Sequence, residues 1–350
     1  MVQGRILSID AMGGDNAPDI VINGIEYFLK HSGKGRSARF ILHGDQEVLK
    51  PLLAKTPETS ARSEIEHTEL AIDMTTKPSH AVRRGKGSSM WNTIAAVKSG
   101  KAKLAVSAGN TGALMAMSMV QLRMKEGVQR PALAALWPKK NGMSVVLDVG
   151  ANIDCNAAQL TEFAVLGEAY FRAIYKEEKP SIGLLNVGVE QVKGNAIVKA
   201  AHERLSESNL DLNYIGYVEG NDISIGDIDV IVTDGFTGNV ALKASEGMAK
   251  LIGQFFSEAL AGNPWSKFVS WLNLPAMIKL KKRIDPRRVN GGVFLGLNGI
   301  VVKSHGGTDK VGFANALEIA LGLAESDFLN EIERTLSALH DEDDNIGFIT

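Results

Sequence analysis

The sequence predicts a three-layer α/β/α fold built on a mostly parallel sheet. Two observations carry that prediction. Short apolar runs alternate with longer segments of helical periodicity along nearly the whole chain. Polar, glycine-bearing motifs follow the apolar runs directly, as they do where strands turn into helices. Glycine is abundant, at 36 of 350 residues, and several glycines cluster in these motifs.

The elements follow in order. Residues 5–10 read as a strand, and 18–30 as an amphipathic helix. A second strand at 39–43 precedes a helix at 46–53. Residues 102–107 form a strand, and 111–125 a helix rich in Met and Ala. A strand at 144–148 leads to a helix at 157–175. Strands at 181–186 and 213–218 each join a helical segment, and 229–233 is a clear strand before a long helix that starts near Gly238. Residues 300–304 are strand-like. Function in such sheets gathers at the carboxyl ends of the strands. Five of these ends carry polar motifs, which predicts one functional rim. No repeat or linker divides the chain, so residues 1–340 read as a single catalytic domain. Residues 264–288 read as a projecting amphipathic element, and 341–350 as an acidic, solvated tail.

Composition narrows the chemistry. The net charge of −2 gives no polybasic footprint for nucleic acid. Cys155 is the only cysteine, which excludes an internal disulfide and a four-cysteine or Cys₂His₂ zinc site. No Walker A loop, no Gly-x-Gly-x-x-Gly after the first strand, no Gly-x-Ser-x-Gly elbow and no His-Glu-x-x-His is present. The expectation is chemistry with no cofactor and no metal. The N-terminus lacks a signal-peptide pattern. Residues 104–122 are uncharged but carry Ser107, Asn110, Ser118 and Gln121, which suits a buried strand and helix rather than a membrane span. A cytoplasmic location is expected.

The motifs carry the candidate site. Ser107-Ala108-Gly109-Asn110-Thr111-Gly112 opens a helix, whose free N–H groups favour an anion and to which Asn110 and Thr111 add donors. It reads equally as a plain N-cap. Asp234-Gly235-Phe236-Thr237-Gly238-Asn239 opens the long helix, and Lys243 lies about one turn beyond Asn239 on the same side. Asp234 and Thr237 also suit a simple cap. Lys193 stands close to the start of a helix, where the macrodipole disfavours a cation, and an anionic ligand removes that conflict. The competing reading is a solvated surface lysine. His305, in His-Gly-Gly-Thr-Asp, suits a general acid or an oxyanion donor, although a lone histidine is more often structural. Cys155 reads as a buried thiol rather than a nucleophile.

Together these stretches resemble the bacterial phosphate acyltransferase family of fatty acid and phospholipid synthesis. The matching residues are 10–18 (DAMGGDNAP), 107–115 (SAGNTGALM), 147–152 (LDVGAN), 184–188 with 193–195 (LLNVG and KGN), 218–222 (VEGND), 233–239 with 242–243 (TDGFTGN and LK) and 305–309 (HGGTD). The resemblance implies transfer of an acyl group from acyl carrier protein to inorganic phosphate. The product would feed a membrane glycerol-3-phosphate acyltransferase. It also implies a Rossmann-like fold similar to phosphotransacetylases and isopropylmalate-type dehydrogenases, usually as a homodimer. On this reading phosphate lies on the Lys193 and Asn239 side, with Lys243 or His305 supporting developing charge. Asp10, Gly13, Gly14, Asp15, Asn110, Thr111, Asn152, Asn186, Asn195, Asp234 and Thr237 complete the phosphate and substrate set.

Two surface elements remain. Leu251, Ile252, Phe255, Phe256, Ala259 and Leu260 recur at helical spacing and give an apolar face that suits a homodimer. Residues 264–288 combine Trp265, Phe268 and Trp271 with seven basic residues against Asp285 alone. That mixture suits a peripheral membrane contact, the acidic carrier protein, or a dimer contact with a basic rim.

Overall fold

The computed structural model describes residues 5–261 and 285–346, so residues 264–284 of the projecting element lie outside it. Along the chain, β1 (Arg5–Asp10) leads to α1 (Asp19–His31), β2 (Ala38–Gly44), α2 (Gln46–Leu53), α3 (Pro57–Arg62) and β3 (Ser63–His67). Then come α4 (Pro78–Arg84), α5 (Ser89–Lys98), β4 (Leu104–Ser107), α6 (Thr111–Leu122), β5 (Ala132–Lys139) and β6 (Gly142–Leu147). The middle of the chain supplies α7 (Ala157–Tyr175), β7 (Ser181–Leu185), α8 (Ala196–Glu207), β8 (Asn213–Val218), α9 (Asp222–Ile225), β9 (Val230–Val232) and α10 (Gly235–Ala261). The last elements are β10 (Gly292–Leu295), β11 (Ile300–Lys303), α11 (Lys310–Glu325) and α12 (Phe328–Ile346).

The strands form one sheet in the order β3-β2-β1-β4-β11-β10-β5-β6-β9-β7-β8. Alternate residues of the central strands enter different cores, as a period of two requires. Leu104, Val106, Val145, Leu147, Val230 and Val232 join one core, with side chains from α1, α7 and α11. Ala105, Val146 and Ile231 join the other, with side chains from α5 and α6. Those two apolar faces make the three layers, as predicted. The helix α12 carries the chain through residues 341–346, the first part of the expected tail.

The single rim expected from the sequence is corrected by the sheet's polarity. Strands β1, β2, β3, β4 and β11 are mutually parallel. So are β6, β9, β7 and β8. Between the two blocks, β11, β10, β5 and β6 pair antiparallel in succession, which reverses the second block. The carboxyl ends therefore form two rims that point in opposite directions. The register brings them level. Lys303 pairs with Gly292, Val293 with Ala134, and Ala135 with Val146. The ends of β11 and β6 thus meet at nearly the same height, three strand spacings or about 14 Å apart.

The reversal depends on the β5–β6 hairpin, where Lys139 pairs with Gly142 across a two-residue turn. Gly142 has φ of 111°, in the region that glycine favours. Among the described residues, no helix is long and apolar enough to cross a membrane.

Candidate functional site

The first rim gathers Asp10, Gly13, Gly14, Asp15, Asn110, Thr111 and His305 on the loops after β1, β4 and β11. Asp10 is buried at the end of β1, and Ser107 Oγ donates to its Oδ2 at 2.6 Å. Burial pushes its carboxyl up against these hydrogen bonds. Gly13 passes so close that a Cβ would stand 2.3 Å from Asp10 Oδ2. Any side chain there would displace the carboxylate. Asp15 N–H donates to Gly306 O at 3.0 Å, which ties the β1 loop to the β11 loop.

Asn110 caps α6, with Oδ1 accepting from Ala113 N–H. Its Nδ2 donates to Met74 O and Thr76 O, so both amide hydrogens are engaged by the protein itself. The capping alternative therefore describes Asn110, and its side chain keeps no hydrogen for an anion. Thr111 starts α6 half-buried. His305 is exposed, and its Nδ1 accepts from Gly307 N–H at 3.1 Å. That bond assigns the ring proton of the neutral imidazole to Nε2, which is left as a donor.

The second rim holds Asn152, Asn186, Lys193, Asn195, Asp234, Thr237, Asn239 and Lys243. Asp148, just past β6, organises it. Its Oδ1 accepts from the N–H groups of Leu133, Gly150 and Ala151. Its Oδ2 accepts from Asn152 N–H at 2.6 Å and Asn152 Nδ2 at 2.9 Å. Burial pushes this carboxyl up, and the N–H donors oppose it by favouring the ionised form. Asn152 also donates to Pro131 O, which makes it a buried brace for the loop.

Helix α10 sits directly on this loop. A Cβ on Gly238 would lie 2.0 Å from Asp148 O, so only glycine permits the approach. Asp234 caps the helix, accepting from Thr237 N–H and Thr237 Oγ1, both at 2.8 Å. Asn239 is half-buried beside Gly150, and among the described residues its carboxamide has no hydrogen-bond partner. Lys243 is exposed one turn further on. At the neighbouring β7 end, Asn186 Nδ2 donates to Gly188 O, and its amide packs against Gly194. Lys193 is exposed on that loop with its stem over Gly188. Asn195 caps α8 by accepting from Val198 N–H at 2.9 Å.

A profile of the family described as "Fatty acid synthesis protein" matches residues 6–331. The phosphate acyltransferase of Maricaulis maris is 55% identical over 331 residues, covering 94% of each chain. The chain belongs to the phosphate acyltransferase family. It is therefore an acyl-transferring enzyme. A phosphotransacetylase from Streptococcus pyogenes has a similar fold at 18% identity, with a TM-score of 0.61 over 93% of this chain and 95% of its own. A 4-hydroxythreonine-4-phosphate dehydrogenase from Klebsiella pneumoniae shares the fold at 12% identity and a TM-score of 0.54, over 92% of this chain and 99% of its own. These two likenesses concern the fold alone.

The two rims contain one group that the sequence did not reveal. Lys303 ends β11 and is buried, and its ammonium donates to Ala108 O at 3.3 Å and to Ser304 O. Burial pushes it down to about 8, against the pull of Asp15 and Asp10. The signal was a lysine closing the apolar run Ile300-Val301-Val302 just before His305. This lysine makes stability depend on pH. Below about 8 it is charged in both folded and unfolded states, and the fold carries the burial cost. Between about 8 and its ordinary 10.5, the unfolded chain binds a proton that the folded chain does not. Wild type should therefore gain stability relative to Lys303→Met as pH rises through that window, read as urea midpoints. A difference that stays constant with pH would refute the assignment.

Cys155 is buried, its Sγ is 3.8 Å from Asn152 O, and burial pushes its thiol up to about 12. A thiol so held is not a nucleophile at neutral pH.

Proposed function

We propose that the chain transfers a fatty acyl group from acyl carrier protein to inorganic phosphate. A phosphate oxygen attacks the thioester carbon, the C–O bond forms and the C–S bond breaks. The proton of hydrogen phosphate ends on the departing thiol, so the products are acyl phosphate and free carrier thiol. Phosphate is already an anion, and catalysis reduces to holding it, aligning it and stabilising the oxyanion.

The observation that carries this reading is the second rim. Among the described residues, the Asn239 carboxamide has no hydrogen-bond partner and Lys193 and Lys243 have no ion pair. We assign phosphate to Lys193 and Asn239, with Lys243 or His305 supporting the developing charge. Asp10, Gly13, Gly14, Asp15 and Thr111 line the opposite rim, where Asn110 supports the loop. Asn152, Asn186, Asn195, Asp234 and Thr237 hold the phosphate-side loops in place.

The same reading extends to partners. Leu251, Ile252, Phe255 and Phe256 are exposed on α10, which supports a homodimer that covers them. The basic and aromatic composition of 264–288 supports contact with the carrier protein or the membrane surface. A membrane glycerol-3-phosphate acyltransferase would consume the acyl phosphate on the way to phosphatidic acid.

The test is direct. The purified chain, given palmitoyl carrier protein, phosphate and hydroxylamine, should yield palmitoyl hydroxamate above the enzyme-free thioester background only when phosphate is present. Hydroxamate formed equally without phosphate, or not at all, would overturn the proposal.

A further inference from the structure

We propose that the acyl chain of the substrate lies on an apolar surface formed by Ile153, Val187, Val189, Val192, Phe236 and Val240, beside Lys193 and Asn239. This rests on the acyl-transfer reading above and adds to it the place of the aliphatic tail.

The six side chains are unusually bare. Val187 is 81% exposed, Val192 78%, Ile153 68%, Phe236 64%, Val189 59% and Val240 53%. Single exposed hydrophobics need no explanation, but these share one rim. Ile153 follows β6, the three valines follow β7, and Phe236 and Val240 occupy the first turns after β9. Those strands are adjacent in the order β6-β9-β7, so their ends span only about 10 Å. Three outward valines within residues 187–192 are also a poor choice for a turn, which ordinarily takes Gly, Asn, Asp, Ser or Pro.

Charge indicates the occupant. Lys193 shares the loop with the valines, and Lys243 lies on the helix turn after Val240. Cations with no ion pair among the described residues, beside bare aliphatic groups, complement a single-chain amphiphile with an anionic head. Acyl phosphate has that form, and so does an acyl chain reacting with bound phosphate. Val187, Val189 and Val192 precede Lys193 on one loop, and Phe236 and Val240 lie beside Asn239 on one side of α10. The apolar face that suits a second copy begins at Leu251, about 16 Å further along α10 at 1.5 Å per residue.

The test compares butyryl and palmitoyl thioesters of acyl carrier protein as substrates. The variants are Phe236→Ser and the triple change Val187→Ser, Val189→Ser, Val192→Ser. A fully buried methylene is worth about fourfold, so partial cover of the tail should give wild type at least a hundredfold preference for palmitoyl in kcat/KM. Each variant should reduce that preference about tenfold or more, mainly through KM. An unchanged preference would overturn the proposal. A variant that leaves the preference intact but dissociates in light scattering would instead assign the surface to a second copy. If wild type forms no acyl phosphate from either thioester, the acyl-transfer reading fails on its own account. The surface is then judged by the fluorescent fatty acid cis-parinaric acid, whose binding should weaken at least fivefold in the triple variant. Equal binding would refute it.

Discussion

Replacing Lys193 or Asn239 with alanine should lower the turnover of acyl phosphate formation by about 10²–10³-fold, or roughly 2.7–4 kcal/mol of transition-state stabilisation. The fold should barely notice. Lys193 is exposed and has no ion pair among the described residues, and the carboxamide of Asn239 has no protein partner there. A group that the protein does not use for itself is available to a ligand. Lys193→Arg should recover only part of the rate, because a planar guanidinium does not reproduce a compact ammonium. Steady-state rates, with thermal melting alongside, check this. Near-normal turnover in a well-folded variant would remove the residue from the site.

The second large effect is on stability. Asp148→Asn should cost about 3–5 kcal/mol, the range for breaking a buried charged network. Asp148 accepts from Leu133, Gly150, Ala151 and both nitrogens of Asn152. An amide keeps one acceptor oxygen and turns an NH₂ group towards N–H donors, leaving several of them buried and unpaired. The loop that presents Gly150 to Asn239 then loses its anchor, so activity should fall with stability. Urea unfolding decides the matter, and a midpoint close to wild type would show that the carboxylate's charge is not needed.

The sequence exposed the fold class because strands such as Val230–Val232 are purely apolar and their helices strongly periodic. It concealed the sheet's reversal, which rests on strands with weaker signals. β5 begins Ala-Leu-Ala-Ala, a composition shared with helices, and β10 is only four residues long. A usable cue was present at Asn141-Gly142, a pair typical of tight hairpins. The candidate residues were recognisable because glycine and asparagine cluster after strands. Their partition between two rims was not, since that follows from long-range pairing. Asn110 shows the same limit. Its position before a helix suggests an anion donor and a cap equally, and only the carbonyls of Met74 and Thr76 distinguish them. Lys303 was hidden for a different reason. A lysine in a strand reads as an edge residue until the neighbouring strands bury it.

The strand order also governs how the chain can assemble. β10 and β11 come late in the sequence yet sit between β4 and β5. A ribosome that has released the chain only through α10 has exposed two unfinished half-sheets, with β4 and β5 each lacking a neighbour. Joining them requires Val302 to find Val106 and Phe294 to find Leu133 across long stretches of chain. Such distant pairings slow folding and leave open strand edges in the meantime. In nascent chains of this topology the edges of β4 and β5 stay open until β10 and β11 emerge and close the gap.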